Sequence, residues 1–518
     1  MSIQHSHRKK HYFFLFGGVF IEPTAIEIQA CIRAKLFKKY LNITPTFITH
    51  GYHPALKQNQ MEVMDRLKIE EDVPIFSLFD FYCDKQQPAE KVRQFVPYED
   101  SNLRYEKDKN DVNASWAFLG EQLQMYIENY PNTQQIHYIN YVNHISNDIE
   151  VMKRDTYDPQ GYLASTGVVE PTTKEEIVTY FLDRDGNQRV TLYFTLSGVE
   201  KKIVKIYISN KQGRVTHIFN SKEDLVVDFI QKLADLYPDD ELCFVTEHPI
   251  YYKALKVLQH PNVKIISVLH LTHTIEPTVE DSPFNRYFSP LVEELHNPKF
   301  QTVVLTEAQK QDIEARVGRS ENLHCIPNTL NYQVKPQDFS QRDRFLLTAF
   351  ARLEPQKRLD KMIDMFALVH QSIPQAKLEI YGVGRLQEQL QEQINRLSLQ
   401  NVVQLKGFIN NPYSVFERAG LALLTSHYEA LPLVIMESLS AGCPFISFDI
   451  KYGPSEMIIE GENGYLVPEN DIQMMTERVI HLLRDPQRHQ QMSENASKAN
   501  KGFLMEAVAE QWRKLLAI

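Results

Sequence analysis

Residues 421–449 read LALLTSHYEALPLVIMESLSAGCPFISFD, and they contain a complete strand, helix and strand. The apolar runs at 421–426 and 444–449 have the length of buried strands, and Gly and Pro punctuate their ends. The residues between these runs are predicted to form a helix. Two strands joined by a helix are parallel, because the crossover returns the chain to the same edge of the sheet. The stretch therefore predicts a βαβ unit within an α/β fold.

The same alternation precedes this unit. Three further apolar runs predict strands, namely FLLTAF at 345–350, KLEIYG at 377–382 and VVQLKGF at 402–408. Such a series forms a doubly wound parallel sheet, so residues 336–502 are predicted to be a Rossmann-like domain. Residues 503–518 are predicted to form a closing helix, which carries Val508, Trp512 and Leu515 at helical spacing.

A second Rossmann-like series lies in the first half of the chain. HYFFLF at 11–16 is followed by Gly17-Gly18, by a segment with helical spacing and by a strand at 46–50. After a long interruption, strands are predicted again at 243–246, 264–270 and 301–305. We predict one domain built from residues 1–75 and 220–335, with residues 76–219 inserted into it.

The inserted segment has a different pattern. It is rich in aromatic and β-branched residues, and three of its pieces resemble one another: TYDPQGYLAS at 156–165, FLDRDGNQRV at 181–190 and ISNKQGRVTH at 208–217. Each piece places a polar turn with a glycine between two strand-like runs, which is typical of β-hairpins. The insertion is therefore predicted to be an antiparallel β-meander.

Composition excludes several classes of protein. The chain has 518 residues, a net charge of -10 and a pI of about 6.0, and this acidic balance disfavours a nucleic-acid partner. Its five cysteines are far apart and form no metal-binding pattern, which favours a reducing, cytoplasmic compartment. No apolar run has the length of a transmembrane helix, and the first residues are interpreted as a tail before the first strand.

Four charged side chains follow predicted strands of the second domain. ARLEPQKR places Arg352 and Lys357 in a strand-to-helix loop, whereas HYEALPLVIME places Glu429 in a loop and Glu437 about two turns into a helix. Departure of a nucleoside diphosphate builds negative charge that two fixed cations and a helix N-terminus stabilise without a metal. Carboxylates accept hydrogen bonds from sugar hydroxyls. The pattern therefore predicts a metal-independent sugar-nucleotide site in a cleft between the two domains.

The Arg-x4-Lys pair followed by Glu-x7-Glu resembles the signature of the retaining glycosyltransferases of family 4, which have the GT-B fold. The stretch SFDIKYGPSEMIIEGENGYLVPEN at 447–470 is similar to one branch of that family. That branch comprises the poly(glycerol-phosphate) and poly(ribitol-phosphate) α-glycosyltransferases and the transferases that decorate serine-rich adhesins. It also carries a β-rich insertion in its N-terminal domain, as the break at residues 76–219 predicts here.

The resemblance implies a role for each matching residue. Arg352 and Lys357 would bind the diphosphate, Glu429 the transferred sugar and Glu437 the ribose. Gly17 and Gly18 match the family's first glycine loop, and His270 matches a histidine that contacts the sugar, while no role follows for His273. The predicted catalytic residues are Glu429, Lys357, Arg352 and His270. The predicted donor-binding residues are Gly17, Gly18, Arg352, Lys357, Glu429, Ala430, Leu431, Pro432, Leu433 and Glu437, and no metal ligand is predicted.

The implied activity is transfer of glucose or N-acetylglucosamine from a UDP-sugar to a polymeric acceptor, with retention at the anomeric carbon and no cofactor. The favoured acceptor is the poly(polyol phosphate) of wall teichoic acid, and the alternative is a serine-rich glycoprotein. The residues leave both choices open, and they leave open peripheral membrane association and homo-oligomerisation through the insertion. A UDP-sugar epimerase of the same fold is a weaker alternative, because it does not account for the insertion. A non-catalytic partner subunit would lose the four donor-site charges, which are all present.

Overall fold

A computed structural model of the chain describes all residues except 1–7, 21–22, 71, 88–101, 131–138, 147, 149, 198–199, 332–341, 410 and 500. The predicted N-terminal tail and the predicted boundary at residues 335 and 336 lie outside the described residues. The chain divides into two compact units, residues 1–30 with 44–265 and residues 31–43 with 266–518. Within the described ranges, no helix is both long and apolar enough to cross a bilayer.

The strands are numbered in chain order. They are β1 Lys10–Phe16, β2 Thr46–Thr49, β3 Ile75–Ser77, β4 Leu103–Lys107, β5 Ala114–Leu119, β6 Gln122–Asn129, β7 Ile139–Ile145, β8 Val151–Tyr157, β9 Leu163–Glu170, β10 Glu175–Leu182, β11 Gln188–Ser197, β12 Glu200–Ser209, β13 Val215–Phe219, β14 Glu241–Thr246, β15 Val263–Val268, β16 Phe300–Val304, β17 Leu323–Cys325, β18 Asp343–Phe350, β19 Lys377–Tyr381, β20 Val403–Leu405, β21 Ala419–Leu424, β22 Phe445–Asp449 and β23 Gly464–Pro468.

The α-helices are numbered in the same way. They are α1 Ala25–Leu36, α2 Leu56–Arg66, α3 Leu78–Tyr82, α4 Lys222–Asp235, α5 Tyr252–Val257, α6 Ser289–Val292, α7 Glu307–Val317, α8 Leu359–Ser372, α9 Gln387–Arg396, α10 Tyr413–Arg418, α11 Leu433–Ser440, α12 Pro454–Met457, α13 Ile472–Arg484, α14 Pro486–Ala499 and α15 Met505–Leu516. A π-helical turn, Phe37–Leu41, continues α1.

The sheet that begins the chain has seven strands in the order β17-β16-β15-β14-β1-β2-β3. β1 runs parallel to β14 on one side and to β2 on the other. The side chains of Phe14, Leu15 and Phe16 are fully buried. This continuous apolar run is what a parallel strand covered on both faces requires, and it is why residues 11–16 predict a strand.

The last sheet has six strands in the order β20-β19-β18-β21-β22-β23, and every pair in it is parallel. The strand order reverses between β18 and β21, which are neighbours in the sheet although two strands separate them in the chain. Ligands of doubly wound folds bind outside the carboxyl ends of the strands at such a reversal. The loops after β18 and β21 therefore hold the expected binding position of this sheet.

The insertion forms a ten-stranded antiparallel sheet in the order β13-β12-β11-β10-β9-β8-β7-β6-β5-β4. Each strand pairs with its neighbours in sequence, so the sheet is a simple meander. Its described core includes Ala117, Met125, Ile127, Val142 and Tyr157. The antiparallel, β-rich insertion predicted from the sequence is thus confirmed.

The three similar pieces of the insertion form the same turn. Asp158, Asp183 and Asn210 each accept hydrogen bonds, through a side-chain oxygen, from the backbone N–H groups two and four residues later. The glycine three residues after each one has a positive φ, of 81° at Gly161, 86° at Gly186 and 76° at Gly213. Asx-x-x-Gly is therefore the sequence rule for these hairpins, because the first side chain closes the turn and only glycine adopts the left-handed position without strain.

The closing helix α15 packs by the face predicted from its sequence. Val508, Trp512 and Leu515 are buried. The Trp512 ring contacts the ring of Phe37 edge-on at 5.3 Å, and the Arg33 guanidinium lies 5.3 Å from the centre of the Trp512 ring. Residues 31–43 thus belong to the same compact unit as the end of the chain.

Candidate active site

Two loops at the strand-order reversal are tied together by backbone groups. The loop after β18 contains the short 3-10 helix Pro355–Lys357, and the loop after β21 begins at Thr425. The His427 N–H donates to the Gln356 carbonyl at 2.8 Å, and the Gln356 side chain donates to the Tyr428 carbonyl at 2.7 Å. The Thr425 hydroxyl lies 3.0 Å from the carbonyl oxygens of both Lys357 and Arg358. The two loops therefore form one fixed surface.

Lys357 and Glu429 meet on this surface. The Lys357 Nζ lies 2.5 Å from Glu429 Oε1, and the Ser426 hydroxyl donates to the same oxygen at 2.7 Å. Only 15% of the lysine side chain and 13% of the glutamate side chain are exposed. A largely desolvated ion pair acts more strongly on a nearby charge or hydroxyl than an exposed one would. Two residues 72 positions apart in the sequence, each predicted from its place after a strand, are thus in direct contact.

Arg352 lies in the same loop as Lys357 and is exposed. Its guanidinium forms no ion pair with the residues that the structure describes. A cation of this kind is available to an anionic ligand. Ala351, which replaces the glycine usual before this arginine in the resembled family, donates its N–H to the Tyr381 carbonyl at 3.0 Å and fits the loop.

Glu437 is the fifth residue of α11, so it lies just over one turn into the helix. The sequence-based prediction of two turns was wrong because α11 begins at Leu433, after Pro432, and not nearer the strand. The Glu437 side chain is half-buried, and its carboxylate makes no hydrogen bond to a described residue. Burial raises the pKa of Glu437 to about 7. A carboxylate held without partners in this way gains hydrogen bonds when hydroxyl groups reach it.

The residues between the two glutamates take different positions. Ala430 is half-buried and Leu431 is buried. Pro432 is the residue that precedes α11, and its extended backbone turns the chain into the helix that Leu433 begins. This short linker fixes the separation of Glu429 from Glu437.

The remaining predicted residues lie on other elements. His270 is half-buried and lies two residues beyond the end of β15 at Val268, so it follows that strand and does not end it. Gly17 and Gly18 follow β1 in the other compact unit, where the Gly51 N–H donates to the Gly17 carbonyl at 2.8 Å. No role was predicted for His273, and its side chain is buried.

A second layer of this site was not predicted from the sequence. Glu469, directly after β23, accepts a hydrogen bond from His427 Nδ1 at 2.5 Å and lies 3.3 Å from Arg358 Nη1. These contacts hold the residues close to Lys357 and Glu429 in sequence. Because β23 was not predicted as a strand, no site residue was predicted at its carboxyl end. The apolar run GYLV followed by Pro-Glu was the signal that could have revealed it.

Two exposed apolar residues at the same sheet edge were also missed. Val383 follows β19 and Phe408 follows β20, and about half of each side chain is exposed, 49% and 50%. Strand-end apolar side chains offer a surface to a flat ligand group. His489 is buried in α14, and its Nε2 lies 2.7 Å from the Gly420 carbonyl oxygen.

Comparison with known proteins finds a family and several relatives that this chain resembles. Residues 333–499 match the family described as glycosyl transferases group 1. The chain is 24% identical over 512 residues to the poly(glycerol-phosphate) alpha-glucosyltransferase of Bacillus subtilis (strain 168), an alignment that covers 97% of this chain and 74% of that protein.

Two solved structures have the same fold. A variant of TarM from S. aureus, in complex with fondaparinux, alpha-GlcNAc-glycerol and UDP, aligns with a TM-score of 0.80 and 19% identity over 98% of this chain and 100% of that one. The pneumococcal O-GlcNAc transferase GtfA, in complex with UDP and GlcNAc, aligns with a TM-score of 0.79 and 18% identity over 99% of both chains.

The fold expected from the motifs is confirmed, and the match to residues 333–499 supports the resemblance to the family. The two doubly wound sheets and the antiparallel insertion are those of the GT-B structures above. Residues 333–499 therefore form a domain of the group 1 glycosyl transferases, and the chain is similar along most of its length to a member of the branch that its motifs resemble.

Proposed function

We propose that the protein is a retaining, metal-independent hexosyltransferase that moves glucose or N-acetylglucosamine from a UDP-sugar to a polymeric acceptor. The observation that carries the proposal is the desolvated Lys357–Glu429 pair at the strand-order reversal of the second sheet, with Arg352 in the same loop as Lys357. This arrangement supplies cations for a diphosphate and a carboxylate for a sugar at adjacent positions.

Each side chain has a role that its surroundings support. Lys357 and Arg352 would bind the diphosphate, because charge develops there as the bond to the sugar breaks. Glu429, held by Lys357 and Ser426, would accept hydrogen bonds from hydroxyls of the transferred sugar. Glu437, whose carboxylate has no partner among the described residues, would accept them from the ribose. His270, Gly17 and Gly18 are proposed as further donor contacts on the resemblance alone.

Retention would follow from attack on the face that the diphosphate leaves. A double displacement requires a carboxylate free to attack the anomeric carbon. Oε1 of Glu429 is already engaged by an ammonium and a hydroxyl group, which lowers its nucleophilicity. A leaving diphosphate held by Lys357 and Arg352 can instead accept the proton of the incoming acceptor hydroxyl on the same face. This route needs no second carboxylate.

We propose a poly(polyol phosphate) of wall teichoic acid as the acceptor. The full-length similarity to a protein named poly(glycerol-phosphate) alpha-glucosyltransferase supports this choice. A serine-rich glycoprotein is the second candidate, because the chain also has the fold of a protein named O-GlcNAc transferase. We further propose the division at residues 75/76, 219/220 and 335/336, with the insertion serving the acceptor or self-association.

A panel of donors and acceptors tests the function. The protein is incubated with UDP-glucose or UDP-N-acetylglucosamine and with poly(glycerol phosphate) or a serine-rich polypeptide. The masses of the products are measured by mass spectrometry. We expect a mass increase of one hexose or N-acetylhexosamine on the polyol phosphate and none with Lys357→Ala. Modification of the polypeptide alone would establish the second candidate. An epimerised UDP-sugar formed without any acceptor would replace the proposal with an isomerase.

A further inference from the structure

A carboxylate on α7 contacts the segment that fixes the position of Glu429. Asp312 lies in the middle of α7, and its Oδ2 accepts hydrogen bonds from Lys451 Nζ at 2.5 Å and from the Tyr452 hydroxyl at 2.7 Å. Burial opposes ionisation, but these two hydrogen bonds lower the pKa of Asp312 below its usual value. Asp312 is therefore held as a charged acceptor between two donors.

Lys451 and Tyr452 are bound in turn to the backbone of Glu429. The Glu429 N–H donates to the Lys451 carbonyl at 3.0 Å, and the Tyr452 N–H donates to the Glu429 carbonyl at 2.8 Å. Both backbone groups of Glu429 are thus satisfied by the two residues that Asp312 holds. A displacement of residues 451–452 would move Glu429 with them.

The segment after Tyr452 packs closely on the same loop. A Cβ atom added at Gly453 would lie 2.6 Å from Pro432 Cδ and 3.2 Å from Leu431 Cα. The segment contacts α7 at a second point, where Glu456 Oε1 accepts a hydrogen bond from the Ala308 N–H at 3.0 Å. Residues 451–456 are therefore fixed between α7 and the loop that carries Glu429.

The Tyr452 ring is enclosed. Only 2% of the residue is exposed, and the centre of the His273 ring lies 6.1 Å from that of Tyr452 and 5.7 Å from that of Phe288. A buried phenol needs a hydrogen-bond partner, and Asp312 supplies it. Loss of the carboxylate would leave a buried hydroxyl without an acceptor, which favours a shift of the ring and of the backbone attached to it.

We infer that Asp312 is a positioning residue for Glu429 and acts through the side chains of Lys451 and Tyr452. The inference rests on the proposed function, because it gives Glu429 its contact with the transferred sugar. Small displacements of a group that orients a reacting sugar lower the rate of the chemical step more than they lower the affinity for the nucleotide.

The test compares three variants in the full chain. Asp312→Ala removes both contacts, Tyr452→Phe removes only the phenol contact, and Glu314→Gln, also on α7, is the matched control because its side chain contacts no described residue through an ion pair or hydrogen bond. We expect kcat to fall about tenfold in Asp312→Ala, less in Tyr452→Phe and not in Glu314→Gln, with the UDP dissociation constant unchanged within about twofold in all three. An unchanged kcat in Asp312→Ala would overturn the inference, and so would an equal loss of UDP affinity.

Amide hydrogen exchange tests the positioning role of Asp312 independently of the proposed function. The amides of Glu429 and Tyr452 should exchange faster in Asp312→Ala than in the wild type or in Glu314→Gln, whether or not any acceptor is glycosylated. Unchanged exchange at these amides would overturn the positioning role even if the enzyme transfers sugar as proposed. A wild-type protein that binds no UDP would overturn the proposed function, while the exchange result would still report the contact.

Discussion

At the scale of single residues, the Lys357–Glu429 pair is expected to have the largest effect on turnover. Lys357→Ala should lower turnover at least about a hundredfold, because it removes a cation from the developing diphosphate charge and leaves the largely buried Glu429 without its ammonium partner. Steady-state kinetics with a folded variant checks this. Lys377→Ala, an exposed lysine that begins β19, is the control and should behave as the wild type. Near-normal turnover in Lys357→Ala would refute the assignment.

The carboxyl group of Glu437 is expected to make UDP affinity depend on pH. Its pKa is raised to about 7 by burial, and hydroxyl donors favour the ionised carboxylate. Binding of a ribose should therefore release a proton below pH 7, so UDP affinity should rise as the pH increases through about 7 and level off above it. Calorimetry from pH 5.5 to 8.5 measures this rise, with Glu437→Gln reporting the titration of UDP itself. Parallel pH profiles for the two proteins would show that Glu437 does not titrate on binding.

Candidate site residues could be predicted from the sequence where a charged side chain follows a predicted strand, and their roles stay predictions. Arg352, Lys357, Glu429 and Glu437 all follow predicted strands, and the structure brings Lys357 and Glu429 into contact. Glu469 and Asp312 could not be found in this way. Glu469 follows a strand that was not predicted, and Asp312 lies on a polar helix face, where a carboxylate is ordinarily solvated. Their partners are more than 40 residues away in sequence.

At the scale of elements, the three Asx-x-x-Gly turns predict a local effect. Gly186→Val should destabilise the β10–β11 hairpin by about 1–2 kcal/mol, because a β-branched residue is strained at a φ of 86°. The measurement is thermal unfolding, with UDP affinity as the second readout. Gly502→Val is the control, since an added Cβ there meets nothing within 4 Å. We expect a lower melting temperature for Gly186→Val with unchanged UDP affinity, and a loss of UDP binding would connect the insertion to the donor site.

The strands that could be predicted are those with long apolar runs. β1, β18, β21 and β22 lie within a residue or two of their predicted limits, because both faces of each strand are covered. β3 and β23 were missed for different reasons. β3 has only three residues, and β23 begins with Gly464, a residue type that disfavours strands. Glu437 was placed about two turns into α11, whereas the loop after β21 extends to Pro432 and the helix begins only at Leu433.

At the scale of the whole chain, two alternations of strand and helix predicted two Rossmann-like domains, the first of them interrupted by an insertion, and the family resemblance implied the GT-B fold. The change from helix-and-strand alternation to repeated hairpins marks the insertion, and the ten-stranded meander confirms it. The exact division of the chain stays a prediction, since the boundary at residues 335/336 lies outside the described residues.

The enzyme is expected to transfer sugar without a divalent metal. Arg352 and Lys357 supply two positive charges where other transferases use a metal ion, so transfer in excess chelator should proceed at the untreated rate. The assay is product formation with and without chelator, followed by addition of magnesium or manganese. A loss of activity that either metal restores would mean that the two cations do not suffice.

The anomeric configuration of the product tests the central claim most directly. Proton NMR of the glycosylated acceptor, formed from a UDP-α-sugar by the wild-type enzyme, reports the linkage through the coupling constant of the anomeric proton. The desolvated Lys357–Glu429 pair, with the leaving diphosphate as the base, predicts an α-linked product. A β-linked product would mean attack from the opposite face and would contradict the account.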